Sequence, residues 1–528
     1  MGTQHATLTT QHAARGRPRA VILVVVLLIL ALLGLSAACF VFQMNAEYAA
    51  TRAEVEQMQT RLAAEAGFHY VTLLLREHLQ DVDAWFDNPE KLRRVVVWSA
   101  TGGLSTFGEV EPESDKPSAP GTFAPAYRFT IVGDDPGSDF KVRYGITDES
   151  AKLNINTATA DQLTRLLTQV VPPEVRVEVL VDSLLDWRDQ DEVTRPNGAE
   201  SDHYRQLNVP YRCKSAPFET VEELLMVRGF TGQVLYGEDA DRNGLLSPNE
   251  DDGETTFPPD NGDGVLNRGL YPYITVHSRD FNKAADNKPR VVLSGSSPET
   301  QARLEEFFSA QEATYLLSRA SSQRGTSPVK SLTAFLDIGP PESTSQPAST
   351  NGTGGQASTN GPPDSSGGAA GGSSPFTLDD FPRIVDRCTL KASPELPGLI
   401  NINTAPPVVL RSLGALAEED IAAIVQRRAT LSAETKQTPA WLLTQGVLDK
   451  TKYDAIADFV TARGLQFTVE TVGYGDHIGA RTRLQIIFGM RGPVPQIMYY
   501  RDLTSLGVTY PLRRDEEEQW SKMGDGVG

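Results

Sequence analysis

Cysteine is scarce in this chain, three in 528 residues: Cys39, Cys213 and Cys388. That excludes a disulfide-dense scaffold and a zinc ribbon. Histidine is scarce too, at His5, His12, His69, His78, His203, His277 and His477. None belongs to a nucleophile motif such as G-x-S-x-G, so nucleophilic catalysis has no visible apparatus. Positive charge is in deficit: 49 Lys and Arg against 68 Asp and Glu leave a net charge of −19. A body that acidic repels phosphate backbones and argues against nucleic-acid binding. Acidic residues are missing altogether before Glu47, whereas Arg15, Arg17 and Arg19 precede it. The remaining composition, 40% apolar and 22% charged, is that of a globular chain, with length for about three or four folded units.

Only one long apolar run is present. Residues 21–42 (VILVVVLLILALLGLSAACFVF) carry no charge and as a helix span about 33 Å, enough to cross a bilayer. The arginines ahead of the run favour a cytoplasmic N-terminus, which sends the rest of the chain across the membrane. Several processing routes compete. The run reads as a plain signal anchor, or as a signal peptide cut at Ser36-Ala37-Ala38. Cys39 invites a lipoprotein reading, but Ser36 stands where Leu is usual and the apolar run continues through Phe42. A pilin-type leader would be cut between Ala20 and Val21, leaving the run as the start of a long helix. Gly16 is a poorer cut, since Arg17-Pro18 would then head the mature chain.

The residues that follow favour the pilin-type route. From Ala46 to Trp85 the one glycine is Gly67 and there is no proline. Val55, Met58, Leu62, Ala66, Tyr70 and Leu73 recur at helical steps. A continuous helix from Val21 to Trp85 would reach roughly 95 Å, with Asn88-Pro89 as its stop. Beyond it, residues 92–99, 127–132 and 139–146 read as strands, 159–229 as a helical block, and 271–278 and 290–294 as further strands. Residues 339–375 are Gly, Ser, Thr and Pro-rich with nothing large to bury, a flexible linker. There is an internal repeat: Asn154-Ile155-Asn156-Thr157-Ala158 recurs as Asn401-Ile402-Asn403-Thr404-Ala405, each opening a helix. The first opening, Thr159-Ala160-Asp161-Gln162, is a capping box, and Pro406-Pro407 suits a first helical turn.

Arg19-Ala20 before an uncharged run, LNINTA, LLDWRDQDEVTRPNGAESDHY (184–204) and PFETVEELLMVRGF (217–230) together resemble the type II secretion system protein K family. The resemblance covers residues 19–277 well and 399–489 more loosely. It implies a minor pseudopilin that catalyses nothing and caps a periplasmic pseudopilus with the minor pseudopilins I and J, after processing by the prepilin peptidase. The expected fold is α+β, laid out as follows: leader 1–20, transmembrane and stalk helix 21–88, pilin-like antiparallel sheet 89–150, inserted helical domain with acidic calcium loops 151–270, second part of the sheet 271–338, linker 339–375, a second helix-hairpin-helix-like block with C-terminal strands 376–513, and an acidic tail 514–528. The body is placed in the periplasm and the helix in the bacterial inner membrane. Val25 stands where most pilins carry the Glu that pairs with a neighbour's new N-terminus; a tip subunit has no neighbour above to pair with.

Candidate sites are few. Asp239, Asp241, Asn243, Leu245 (by its carbonyl), Ser247 and Glu250 match a D-x-[DN]-x-[DN]-G…E calcium loop, with Gly244 at the sharp turn. Residues 260–267, with Asp260 and Asp263, resemble the same loop imperfectly. Ca2+ is therefore the expected cofactor, and calcium in the insertion is also what the family resemblance implies. Asp186, Asp189, Asp191, Glu192, Glu200 and Asp202 form a further acidic cluster, read as a structured loop at a helix end. The alternative to the pseudopilin is a membrane-anchored periplasmic DNA receptor, because the NINTA repeats look like helix-hairpin-helix modules. Their hairpins, however, lack a basic, glycine-rich nest for phosphates. Thr471-Val472-Gly473-Tyr474-Gly475 spells a potassium filter but lacks the flanking membrane helices, and reads as a strand. A disulfide between Cys213 and Cys388 is left open by the sequence.

Overall fold

The computed structural model describes residues 19–99, 103–104, 126–133, 141–293, 297–321, 329–336, 374–476, 478–490, 494–507, 510–512 and 516. The leader ahead of Arg19, nearly all of the linker and all of the tail except Glu516 lie outside the described residues.

One helix runs Arg19–His78, 60 residues. It is long and apolar enough to cross a membrane, and residues 22–50 are exposed on every side. Further along, one face is buried: Ala63, Phe68, Val71, Leu74 and Leu75 enter a core under the sheet. The expected apolar stripe is not that face. Val55, Met58, Leu62 and Leu73 point to solvent, while Ala66 and Tyr70 are half-buried. Close approach, not side-chain size, sets the contact. A Cβ on Gly67 would lie 2.4 Å from Thr471 Oγ1, and one on Gly473 2.0 Å from the Thr60 carbonyl oxygen. Thr471 Oγ1 donates to the Ala64 carbonyl at 3.0 Å.

The helix ends at His78, short of the expected Trp85, because Trp85 has to turn into the core. It is 1% exposed, lies edge-on to Phe467 at 5.2 Å, and donates from Nε1 to the Leu79 carbonyl beyond the last turn. Asn88-Pro89 opens an element instead of closing one. The Asn88 side chain caps the short helix Pro89–Leu92, with proline in the first turn where its missing N–H costs nothing.

The sheet against which the helix lies has seven strands among the described residues. Across it run Gln496–Asp502, Arg481–Gly489, Gln466–Gly475, Ala126–Val132, Val95–Ser99 and Gly103–Leu104, with Thr147–Asp148 on the end of Gln466–Gly475. Every pair is antiparallel. The second part of the sheet therefore comes from residues 466–502, not from 271–338 as expected. Among the described residues of 271–338 are the α-helices Pro298–Glu305 and Ala310–Ser321, and strands of two or three residues that pair outside the main sheet. Their apolar residues, Val291, Leu304, Leu316 and Phe335 among them, share one core with both NINTA blocks. The expected strand at 139–146 is also absent from residues 141–146, where Arg143 makes only an isolated bridge to Gly133. The chain thus leaves the sheet after Asp148, builds a helical head around a single core, and returns at Gln466.

The head has an internal two-fold logic. Leu153–Asn154 pairs in parallel with Ile274–Thr275, and Ile400–Asn401 with Val460–Thr461. In each repeat the first Asn accepts from the N–H of the second, at 2.9 Å for Asn154 and 3.0 Å for Asn401. Arg188 donates to the Ile155 and Ala158 carbonyls, and Arg428 to those of Ile402 and Ala405. These arginines end the helices Val177–Arg188 and Glu418–Arg428. The helices that follow the two repeats, Ala160–Val170 and Pro407–Ser412, pack on each other. They serve as each other's partner, which is a structural reason for the repeat without nucleic acid.

Candidate metal centre

The loop from Asp239 to Glu250 is folded inward on its own amides. Asp239 Oδ1 accepts from Asn243 N–H at 3.0 Å and Oδ2 from Gly244 N–H at 3.1 Å. Asp241 Oδ1 also accepts from Asn243 N–H at 3.0 Å. Glu250 reaches back to accept from Ala240 N–H at 2.9 Å and from Ser247 Oγ at 2.7 Å. Arg242 and Gly244 take positive φ, +58° and +69°, which tightens the turn. The result brings one oxygen each of Asp239, Asp241 and Glu250 within 4.8 Å of one another. Asp239, Asn243, Ser247 and Glu250 are all buried. Burial raises the Glu250 carboxyl, with hydrogen bonds from Ser247 working against the rise. Buried, convergent hard oxygens fit a cation of calcium's class.

The loop is moored to the sheet by residues that its own sequence does not reveal. Arg483, fully buried on the strand Arg481–Gly489, donates to the Asp241 carbonyl at 2.7 Å and the Arg242 carbonyl at 2.5 Å. Its Nε donates to Glu470 Oε1 at 2.6 Å. Burial opposes the guanidinium's charge, and the Glu470 carboxylate outweighs it. Arg268 holds the Gly244 carbonyl at 2.7 Å. Leu245, expected at a carbonyl-donating position, inserts its side chain among Val132, Val472, Tyr474, Tyr510 and Leu512. Asp260 and Asp263 are not drawn into the centre. Asp260 accepts from the N–H groups of Asp252, Gly253 and Gly262, and Asp263 from Val265 N–H and the Asn261 side chain.

The second acidic cluster lies in the LLDWRDQD signature. Asp186 and Asp189 both accept from Arg195 Nη1 at 2.6 Å. Glu200 is 3% exposed, and the weakly donating Cys213 thiol is the hydrogen-bond partner beside its carboxyl; Asp189 Oδ1 has no donor among the described residues. Asp189, Asp191 and Glu200 each bring an oxygen within 4.8 Å of the others. Burial pushes the Glu200 carboxyl up to about 7. Burial, and then the neighbouring Glu200, push the Cys213 thiol up to about 12. Buried carboxylate oxygens with a weak donor or none are costly, so this cluster also has the chemistry of a cation site. Its glycine is required: a Cβ on Gly198 would lie 2.0 Å from Asp186 Oδ2. Trp187 Nε1 donates to Glu223 at 2.9 Å, which ties the first signature segment to the second. Cys213 and Cys388 are both buried and unbridged.

One long apolar helix laid on one antiparallel sheet, with the chain's head interrupting that sheet, defines a mixed α+β protein. Residues 144–236 match the family described as type II secretion system protein K. The chain is 30% identical over 174 residues to the type II secretion system protein K of Pectobacterium carotovorum subsp. carotovorum, covering 30% of this chain and 50% of that protein. The match therefore spans about half the length of the curated relative. The crystal structure of the GspK-GspI-GspJ complex from enterotoxigenic Escherichia coli contains a chain matched at 12% identity, over 86% of this chain and 98% of that one, with a TM-score of 0.37.

Proposed function

We propose that this chain is a minor pseudopilin of the type II secretion system that caps the periplasmic pseudopilus and supports protein export across the outer membrane. The family domain at 144–236 supports the reading, but one observation carries it. Residues 22–50 of the long helix are bare on every side and uncharged as far as Ala46, and Val55, Met58 and Leu62 extend that bare surface past the membrane run. A helix that the head leaves uncovered calls for helical neighbours, and the minor pseudopilins I and J are the partners this reading assigns. The chain is a membrane-held assembly subunit, cut by the prepilin peptidase between Ala20 and Val21. Its family is a structural component of secretion, and no catalytic role is assigned. Val25 puts no carboxylate in the bilayer, in keeping with a subunit that starts a fibre.

Two groups of residues are proposed to hold calcium: Asp239, Asp241, Asn243 and Glu250 in the loop, and Asp189, Asp191 and Glu200 in the signature segment. Bound calcium would supply positive charge to the Glu250 and Glu200 carboxylates, which burial disfavours. The test of function is co-expression with the I and J minor pseudopilins, followed by purification on a tag carried by this chain. Recovery of a ternary complex, lost on Val55→Glu with Met58→Glu, is expected. Free monomer from the unaltered chain would overturn the assignment.

A further inference from the structure

A cavity of about 410 Å3 lies where the end of the long helix, the turn after Phe281 and the second NINTA block meet. Nothing in the assembly reading uses it. Leu75, Leu79, Trp85, Phe281 and Met490 give it apolar walls. Its polar side is lopsided in charge: Arg76, Lys283, Lys436 and Arg463 line it against one carboxylate, Asp280. In a chain of net charge −19, four cations around one opening are a specific feature.

Two of these cations are already engaged. Asp280, buried, accepts from Thr461 Oγ1 at 2.9 Å and is paired with Arg463 at 3.3 Å. Lys436 reaches Asp83 at 3.1 Å. Arg76 is exposed and has no ion-pair partner among the described residues, and Lys283 Nζ donates only to the Asn287 amide oxygen at 3.3 Å. An anion in the cavity would therefore meet two lining cations without an ion pair among the described residues, beside apolar walls. The size falls within the usual range of roughly 300–1,000 Å3 for ligand sites, and the mix of apolar walls with few polar groups is theirs too. Position excludes lipid headgroups. Arg76 lies 34 residues past Phe42 along one helix, about 50 Å beyond the apolar run.

We propose that this cavity is a docking site for an acidic peptide segment, an Asp or Glu side chain taken by Arg76 and Lys283 with an adjacent apolar residue against the apolar walls at Trp85 and Met490. Because the stalk helix and both parts of the head contribute walls, a bound peptide would brace the head on the stalk.

The test uses the full chain in detergent micelles and a fluorescein-labelled acetyl-Leu-Glu-Leu-Glu peptide, read by anisotropy. The Gln analogue of the peptide, octanoate and inorganic phosphate serve as comparison ligands. The Glu peptide is expected to bind about tenfold more tightly than the Gln analogue, and Arg76→Glu and Lys283→Glu each to weaken it about tenfold. Arg205→Glu, outside the cavity, should leave binding unchanged, and an unaltered melting temperature shows that the variants fold. Equal binding of the Glu and Gln peptides, indifference to both charge reversals, no binding at millimolar peptide, or equally tight capture of octanoate or phosphate would each overturn the proposal.

Discussion

Asp148 is fully buried where the chain leaves the sheet, and its oxygens accept from Asn401 Nδ2 and Thr404 Oγ1 at 2.7 Å and from Ser150 N–H at 2.9 Å. It thereby ties the sheet to the second NINTA block across 253 residues of chain. Gly464 is part of the same fit, since a Cβ there would stand 2.2 Å from Asp148 Oδ1. Burial, only partly offset by Thr404, Asn401 and Ser150, pushes the carboxyl up to about 6. The folded chain holds this proton more tightly than the unfolded one. The group's contribution to stability is thus fully present below the unfolded value near 4 and is lost as pH rises through about 6, with a size of up to about 3 kcal/mol. Denaturation midpoints measured from pH 4 to 7.5 for the parent and for Asp148→Asn should diverge across pH 4–6 and run parallel above it. Parallel curves throughout would show that the carboxyl titrates normally.

Two elements depend on close contacts that a sequence pattern does not display. The strand Gln466–Gly475 meets the long helix through Gly473, so Gly473→Val sets a side chain against the Thr60 carbonyl. The expected loss is roughly 3 kcal/mol, the upper end of ordinary overpacking, seen as a fall in melting temperature; an unchanged melt would mean the helix sits further from the sheet. This contact also explains the filter-like TVGYG, whose glycine serves helix packing in a β-strand. The acidic loop Asp239–Glu250 is the second case. Its spacing was legible because calcium demands oxygens at fixed steps around a glycine turn. Its moorings were not, since Arg483 stands 242 residues from Asp241 and nothing local marks it. If the loop holds calcium, adding it at about 100 times the dissociation constant should stabilise the fold by about 2.7 kcal/mol. EGTA should reverse the shift, and Asp239→Asn should remove much of it. A melting curve indifferent to calcium and EGTA would eliminate the metal from both clusters.

At the scale of the molecule, helix and sheet form one unit, and this decides where the chain can be trimmed. The long helix, the repeat and a strand through Thr471–Gly475 were readable from apolar period, motif identity and β-branched residues. The pairing of Ala126–Val132 with Gln466–Gly475 was not, because strand partners more than 300 residues apart share no local signal. The head between them is large enough to pass for separate domains, although apolar residues drawn from Leu153 through to Val460 share one core. The same misreading would place a soluble fragment at about residue 90, after the helix. The structure forbids that start: Ala63, Phe68, Val71, Leu74, Leu75, Val82 and Trp85 supply one wall of the core whose other wall is Phe129, Ile131, Phe467, Val469 and Phe488. A chain beginning at residue 90 would expose that sheet face to water, whereas one beginning at residue 46 keeps the packed half of the helix and drops the apolar run. The longer fragment should be monomeric, with a cooperative melt and strong near-ultraviolet dichroism from Trp85 in its packed setting. The shorter one should aggregate, or melt without cooperativity while keeping far-ultraviolet signal. Two equally cooperative fragments would mean that the helix only lies on a sheet able to fold without it, and the stalk would then be a tether instead of part of the core.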